Sequence, residues 1–281
     1  MIVAYHRRQR FLAGGFMAVA ELPGVTFHHT DDGPRDAQTL LLIHGWGGDG
    51  HAWAPVTAAL QPRARAADPD AARFRVVAPD LRGHGRSSVP ATGYRPAELA
   101  GDLVALMDVL GLETVVPVGH SMGAQVATAL AVGHPDRVRA LVVIDPAYGA
   151  DAAEELLFAE RLAALRSGGA AAAVHQLGGD ALPAPVRDRL LATPGHVLAE
   201  CYEGMYLTPE AFGTRRAAER YLARRACPVL SLHSRPEPAA WESAIPAPAG
   251  SRVVTWPGTG HFLHLERPAA VTELLSQWLP R

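Results

Sequence analysis

Cysteine is scarce in this sequence of 281 residues: the only two, Cys201 and Cys227, belong to no CxxC pair and to no Cys/His cluster. Neither a disulfide framework nor a cysteine-based zinc or redox centre is supported, and both thiols are read as small apolar packing groups. An excess of one charge is missing too. Lysine and arginine number 26 against 28 aspartates and glutamates, mixed along the chain, for a formal net charge of -2. That balance offers no footprint for nucleic acid or anionic membrane, so the expected partner is a small molecule, with a homodimer left open. No apolar run approaches the ~20 residues needed to span a bilayer. With 48% hydrophobic residues the chain instead suffices for one large core, which favours a single catalytic domain with an insertion over two independent domains.

The N-terminus carries two readings. Arg7-Arg8-Gln9-Arg10 ahead of the apolar stretch Phe11 to Ala20 has the outline of a twin-arginine export signal. Gly14 and Gly15 interrupt that stretch, and Met17 stands just ahead of what reads as the first strand, so a translation start at Met17 is preferred. Residues 1–20 are set apart as an extension. The expected location is the cytoplasm, with export as the alternative if the extension is a signal.

From residue 37 to 146 the chain alternates apolar β-type runs with helical patterns, the signature of βαβ units and a mostly parallel sheet. The runs Thr39 to His44, Phe74 to Ala78, Thr114 to Val118 and Arg139 to Ile144 are dense in Val, Leu and Ile, as expected for strands covered on both faces. Leu99, Leu103, Leu106, Met107 and Leu110 recur at helical spacing and stop at Gly111, which predicts a crossover helix over Pro96 to Leu110. Residues 147–226 change character. They are helical segments rich in Ala, Arg and Glu, broken at Ser167-Gly168-Gly169, Gly178-Gly179 and Pro183 to Pro185. Strand pattern returns at Pro228 to His233 and Arg252 to Trp256, and a last helix runs from about Pro268 to Leu279. The expected organisation is a core of residues 21–146 and 227–281 with a helical cap at 147–226. The stretches around Pro62 to Ala72 and Ile245 to Gly250 read as loops.

Gly119-His120-Ser121-Met122-Gly123 follows one of these strands and precedes the helical run Ala124 to Val132, the strand-turn-helix setting that a G-x-S-x-G nucleophile elbow requires. The flanking glycines answer to a strained turn in which a Cβ would collide with its neighbours. A nucleophile at a helix start is also aimed at by backbone N–H groups, so the Met122 amide is an expected oxyanion donor. The second donor is expected from His44-Gly45-Trp46-Gly47-Gly48, directly after a buried strand, with the Trp46 amide favoured. Gly258-Thr259-Gly260-His261-Phe262 lies between the strand Arg252 to Trp256 and the final helix. That puts His261 where open α/β sheets collect their ligands, and a serine hydroxyl needs an imidazole to take its proton.

In this order His44 to Gly48, Pro79 to Ser87, Gly119 to Gly123 and Gly260-His261-Phe262 resemble the landmarks of the α/β-hydrolase family, from about residue 25 to the end. The resemblance implies the α/β-hydrolase fold, a mostly parallel central sheet flanked by helices with a helical cap insertion. In it Arg82 and His84 hold the loop at Asp80 to Ser87. For the acid it offers two positions: the turn Ser234-Arg235-Pro236-Glu237, and the end of the strand after the nucleophile helix, where Asp145 lies 145 - 121 = 24 residues beyond Ser121. Asp145 is preferred and Glu237 is the alternative. The implied enzyme is a serine hydrolase for a carboxylic ester or lactone of a mostly apolar small molecule, with no metal and no organic cofactor. A serine at the elbow argues against the dehalogenase and epoxide hydrolase branches, which use a carboxylate there. Gly45, Trp46, Tyr148, Tyr202, Met205, Tyr206 and Trp241 are the expected substrate-binding residues. Rival readings are a C–C bond hydrolase or cofactor-free dioxygenase on the same frame, a non-catalytic binding module, and an accessory thioesterase.

Overall fold

The computed structural model describes residues 5–10, 16–22, 24–61 and 73–280. The predicted loop at residues 62–72, and residues 11–15 of the apolar N-terminal stretch, lie outside them. Three antiparallel strands come first: β1 (Tyr5–Arg10), β2 (Phe16–Leu22) and β3 (Val25–Asp32). The arginine-rich segment therefore lies within β1, with Gln9 and Arg10 paired to β2, and Met17 lies inside β2 rather than ahead of it.

The Val/Leu/Ile-rich runs form β4 (Gln38–Ile43), β5 (Phe74–Pro79), β6 (Val116–His120), β7 (Leu141–Ile144), β8 (Val229–His233) and β9 (Arg252–Thr255). These six are mutually parallel. The nine strands make one sheet in the order β1-β2-β3-β5-β4-β6-β7-β8-β9.

Alternation along the strands divides the core between the two faces. Leu41, Ile43, Val77 and Val143 point into one cluster, against α2 (Pro96–Val109) and α3 (Met122–Gly133). Leu40, Leu42, Val76, Val142 and Ile144 point into the other, where α1 (Ala54–Leu60) packs together with the C-terminal helices. This two-sided burial is why the strands read as continuous apolar runs.

Five helices stand between β7 and β8: α4 (Ala152–Glu155), α5 (Phe158–Gln176), α6 (Ala184–Ala192), α7 (Gly195–Tyr206) and α8 (Arg215–Leu222). α9 (Pro236–Ser243) follows β8, and α10 (Leu263–Glu266) and α11 (Pro268–Trp278) end the fold. α5 is interrupted at Gly169, with φ 56° and ψ -135°. The second arm folds back, so that the Gln176 side-chain amide donates to the Arg161 carbonyl at 2.9 Å. In a straight helix residues fifteen apart would be separated by about 22 Å. Both cysteines are buried and free. Among the described residues no helix is long and apolar enough to cross a membrane.

The sheet order fixes where a site can form. From β4 the chain moves to β5 on one side and later to β6 on the other, so the loops leaving β4 and β6 diverge at their C-terminal ends. Such a divergence opens a crevice.

Candidate active site

Ser121 follows β6 and caps α3 with φ 55° and ψ -118°, a conformation that residues other than glycine rarely take. The glycines on either side make the turn feasible. A Cβ on Gly119 would fall 2.1 Å from the Gly123 carbonyl oxygen, and one on Gly123 would fall 2.3 Å from that of Ile43. The elbow is thus wedged against β4. The Ser121 N–H donates to Ile144 O at 3.0 Å and tethers it to β7 as well. Met122 opens α3, and at this first helical position its N–H has no intrahelical acceptor. The loop after β4 runs alongside, since a Cβ on Gly45 would come within 3.3 Å of the Ser121 Cβ.

Asp145 follows β7 and, among the described residues, is the other non-glycine residue with positive φ, at 42°. Its two carboxylate oxygens have separate partners. Oδ2 accepts from His261 Nδ1 at 2.7 Å, and Oδ1 accepts from the Ser234 N–H at 2.8 Å and the Ser234 hydroxyl at 2.9 Å. Burial pushes this carboxyl up, but the hydrogen bond and charge of His261, with the two Ser234 donors, outweigh it and hold the group below the usual aspartate range. With Nδ1 bound to the carboxylate, Nε2 is the ring nitrogen of His261 left for proton transfer. Glu237, the alternative acid, has no contact with His261. It is exposed in the first turn of α9 and pairs with Arg215.

The neighbouring histidines serve the frame. His120 Nε2 donates to the His261 carbonyl at 2.8 Å, and its ring lies 4.7 Å from the His261 ring and 4.3 Å from that of His264. Burial lowers His120 well below the ordinary imidazole value, and lowers His264 to about 3. Both are therefore neutral at physiological pH, whereas the His261 side chain keeps 35% of its exposure. His44 Nδ1 donates to Gly45 O, and its Nε2 accepts from the Leu81 N–H at 3.0 Å. Arg82 makes a two-pronged ion pair with Asp102, both bonds 2.6 Å, and His84 donates to Arg82 O. These two side chains brace the loop at residues 80–87.

Ser121 and His261 line one cavity of about 140 Å³. Gly45, Trp46, Tyr202, Met205 and Tyr206 share it, along with His120, Ala147, Arg161, Gln176, Leu177 and Phe262, which sequence reasoning missed. The Trp46 indole donates to Leu198 O in α7 at 3.0 Å and pins the inserted helices to the loop after β4.

Tyr148 and Trp241 do not line this cavity, contrary to expectation. Tyr148 is buried beside Phe212 and Leu222 and donates to Glu242 Oε1 at 3.2 Å, while the Trp241 ring packs on Gly149 and its indole donates to Glu219 at 3.0 Å. The predicted turn at residues 234–237 opens α9, which draws Trp241 and Glu242 toward α8.

Glu242 was also missed. It is buried and fully engaged: Oε1 accepts from Arg225 at 2.8 Å as well as from Tyr148, and Oε2 from the Ser231 hydroxyl at 2.7 Å and His233 Nε2 at 3.0 Å. Burial raises this carboxyl, but His233 and Arg225 prevail and bring it down from 4.5 to about 2.

The alpha/beta hydrolase fold model matches residues 38–178. The chain belongs to that family. It is 42% identical over 151 residues to RutD of Caulobacter sp. (strain K31), provisionally named a carbamate hydrolase, covering 53% of each chain. The chain thus spans about half the length of that curated relative. An enol-lactonase from Burkholderia xenovorans LB400 superposes with a TM-score of 0.75 at 25% identity, over 92% of this chain and 98% of that one. A thermophilic esterase from Thermogutta terrifontis gives 0.71 at 25% identity, over 97% and 98%.

Proposed function

We propose that this chain is a serine hydrolase that cleaves a carboxylic ester or lactone through an acyl-enzyme. The observation that carries the reading is the Asp145–His261 hydrogen bond, 2.7 Å long, beside a strained Ser121 that lines the same cavity. Ser121 Oγ attacks the carbonyl carbon while His261 Nε2 takes its proton and passes it to the leaving oxygen. A water, deprotonated by the same nitrogen, then attacks the acyl-serine and releases the carboxylic acid. Asp145 orients the imidazole and stabilises its charged form, and the amides of Trp46 and Met122 receive the oxyanion. Trp46, Ala147, Leu177, Met205 and Phe262 make much of the wall apolar, which suits a largely hydrocarbon acyl group. The enol-lactonase and esterase neighbours support that substrate class.

The test is steady-state hydrolysis of small aryl esters, lactones, carbamates and thioesters. Ser121→Ala is expected to remove turnover and fluorophosphonate labelling. Asp145→Asn should cut kcat on the order of 10⁴-fold, because the imidazole loses the partner that fixes its tautomer. Glu237→Gln should leave kcat within about twofold. An active Ser121→Ala variant would rule the mechanism out.

A further inference from the structure

The wall of the cavity is not uniformly apolar. α5 brings Arg161 from its first arm and Gln176 from its second, and α7 brings Tyr202. The Arg161 guanidinium lines the cavity yet has no carboxylate within ion-pair distance among the described residues, while ten other arginines do. Tyr202 is 5% exposed and its hydroxyl is a buried polar atom without a hydrogen-bond partner. An unsatisfied hydroxyl of this kind costs free energy unless a ligand completes it. Burial raises the Tyr202 phenol, and the Arg161 guanidinium, which is directed at its hydroxyl, opposes that rise by hydrogen bonding and by charge. Glu154, whose charge also reaches Tyr202, accepts from the Asp151 N–H at 3.1 Å in the cap of α4 and forms no pair with Arg161.

An arginine without a carboxylate partner, set beside a buried tyrosine hydroxyl in one small cavity, describes an anion subsite. We propose that the substrate carries a carboxylate in its acyl part, held by the Arg161 guanidinium and the Tyr202 hydroxyl while its ester or lactone carbonyl meets Ser121. This rests on the reading of Ser121 as the nucleophile. A cavity of about 140 Å³ is small for a ligand site and suits a compact acyl part. Half-esters and enol or saturated lactones of short dicarboxylic acids have that shape. The carboxylate also distinguishes them from neutral esters, because charge-assisted hydrogen bonds in a site shielded from water are the strong ones.

The experiment compares kcat/KM for the monomethyl and dimethyl esters of succinic, glutaric and adipic acids, with phenyl acetate as a neutral control. The wild-type enzyme is expected to favour the half-ester of at least one chain length by about 10-fold to 100-fold. Arg161→Gln should collapse that ratio, chiefly through KM, and Arg161→Lys should restore part of it; Tyr202→Phe should lower it by several-fold. Free succinate, glutarate or adipate should bind Ser121→Ala in calorimetry, and the Arg161→Gln change should abolish the heat. A wild-type ratio near one with phenyl acetate still cleaved overturns the anion subsite alone, and needs no variant to fold. Phenyl acetate left intact and Ser121 unlabelled by a fluorophosphonate would overturn the hydrolase reading instead, while dicarboxylate binding would still report on the subsite.

Discussion

Ser121 and Gly169 have nearly the same backbone torsions, φ 55° and ψ -118° against φ 56° and ψ -135°, in two very different surroundings. Ser121 sits at the end of a central strand, where the ladders to β4 and β7 and the close contact of Gly123 with β4 leave the chain no alternative path. Gly169 turns α5 back on itself near the surface, and only the Cα of Gly195 in α7 lies within 4 Å of where its Cβ would be. Strain of about 1–3 kcal/mol can be imposed on a serine where the framework over-determines the turn. Where it does not, the conformation falls to glycine. Ser121 thus stands on a rigid floor, whereas Gly169 belongs to inserted helices that constrain it far less.

The largest effect is expected where the floor is tightest. Gly123→Ala would set a methyl group 2.3 Å from Ile43 O and 2.5 Å from His44 O, both of them backbone. Neither atom can move without breaking β4, so the variant should lose more than about 4 kcal/mol or fail to accumulate as soluble protein. Denaturant unfolding checks this. A loss under about 1 kcal/mol would mean that the floor yields, and the comparison would dissolve.

Next in size is Glu242. Removing its charge leaves Arg225 buried without a counter-charge, so Glu242→Gln should cost about 3–5 kcal/mol, whereas Glu237→Gln, on an exposed pair, should cost under about 1 kcal/mol. Acid should find the same group. Its folded pKa lies below the unfolded one, so its contribution is complete above about 4.5 and is lost as the pH falls toward 2. Buried histidines act earlier. Burial lowers His29 to about 4 and His84 and His264 to about 3 from 6.5, so below pH 6.5 the unfolded chain binds protons that the folded one refuses. Stability should decline from about pH 6.5 downward, and Glu242→Gln should flatten only the part below about 4.5. A Tm that stays level between pH 7 and 5 would contradict the neutral-histidine assignment.

The same contrast explains what could be read from the chain. Strands such as Gln38–Ile43 and the elbow at residues 119–123 are local patterns, apolar runs and fixed glycine spacing, and they appear in the structure within a residue or two of the expected bounds. Asp145 was offered by the family resemblance, which places an acid at the end of the strand after the nucleophile helix, and the structure sets its carboxylate on His261 Nδ1. Glu242 was not, since nothing in Pro236–Ser243 distinguishes a carboxylate that turns inward from one that faces water; its donors come from β8, from Tyr148 and from Arg225. Tyr148 and Trp241 failed for a related reason, as aromatic side chains serve a packed cluster as readily as a pocket. Arg161 was hidden because its position depends on the reversal at Gly169, which a break signal announces without giving a direction.

Effects smaller than that of Glu242→Gln come from exchanging the two turn residues, and they probe the contrast most directly. Ser121→Gly removes a side chain from a strained position that the sheet already enforces, so the native fold should gain up to about 1–3 kcal/mol as the chemistry is lost. Gly169→Ser places a side chain in the same torsions with open space around it, where the obstacle is conformational rather than steric. It should lose a similar 1–3 kcal/mol. The loss should fall on the inserted helices, so hydrogen exchange is expected to quicken across α5 and α7 while β4 and β6 remain protected. Because Arg161 and Gln176 depend on this reversal, KM for a half-ester should rise more than kcat falls. If both substitutions moved Tm in the same direction, the two turns would be governed by one local preference, and the division between an enforced floor and a permissive roof would have to be given up.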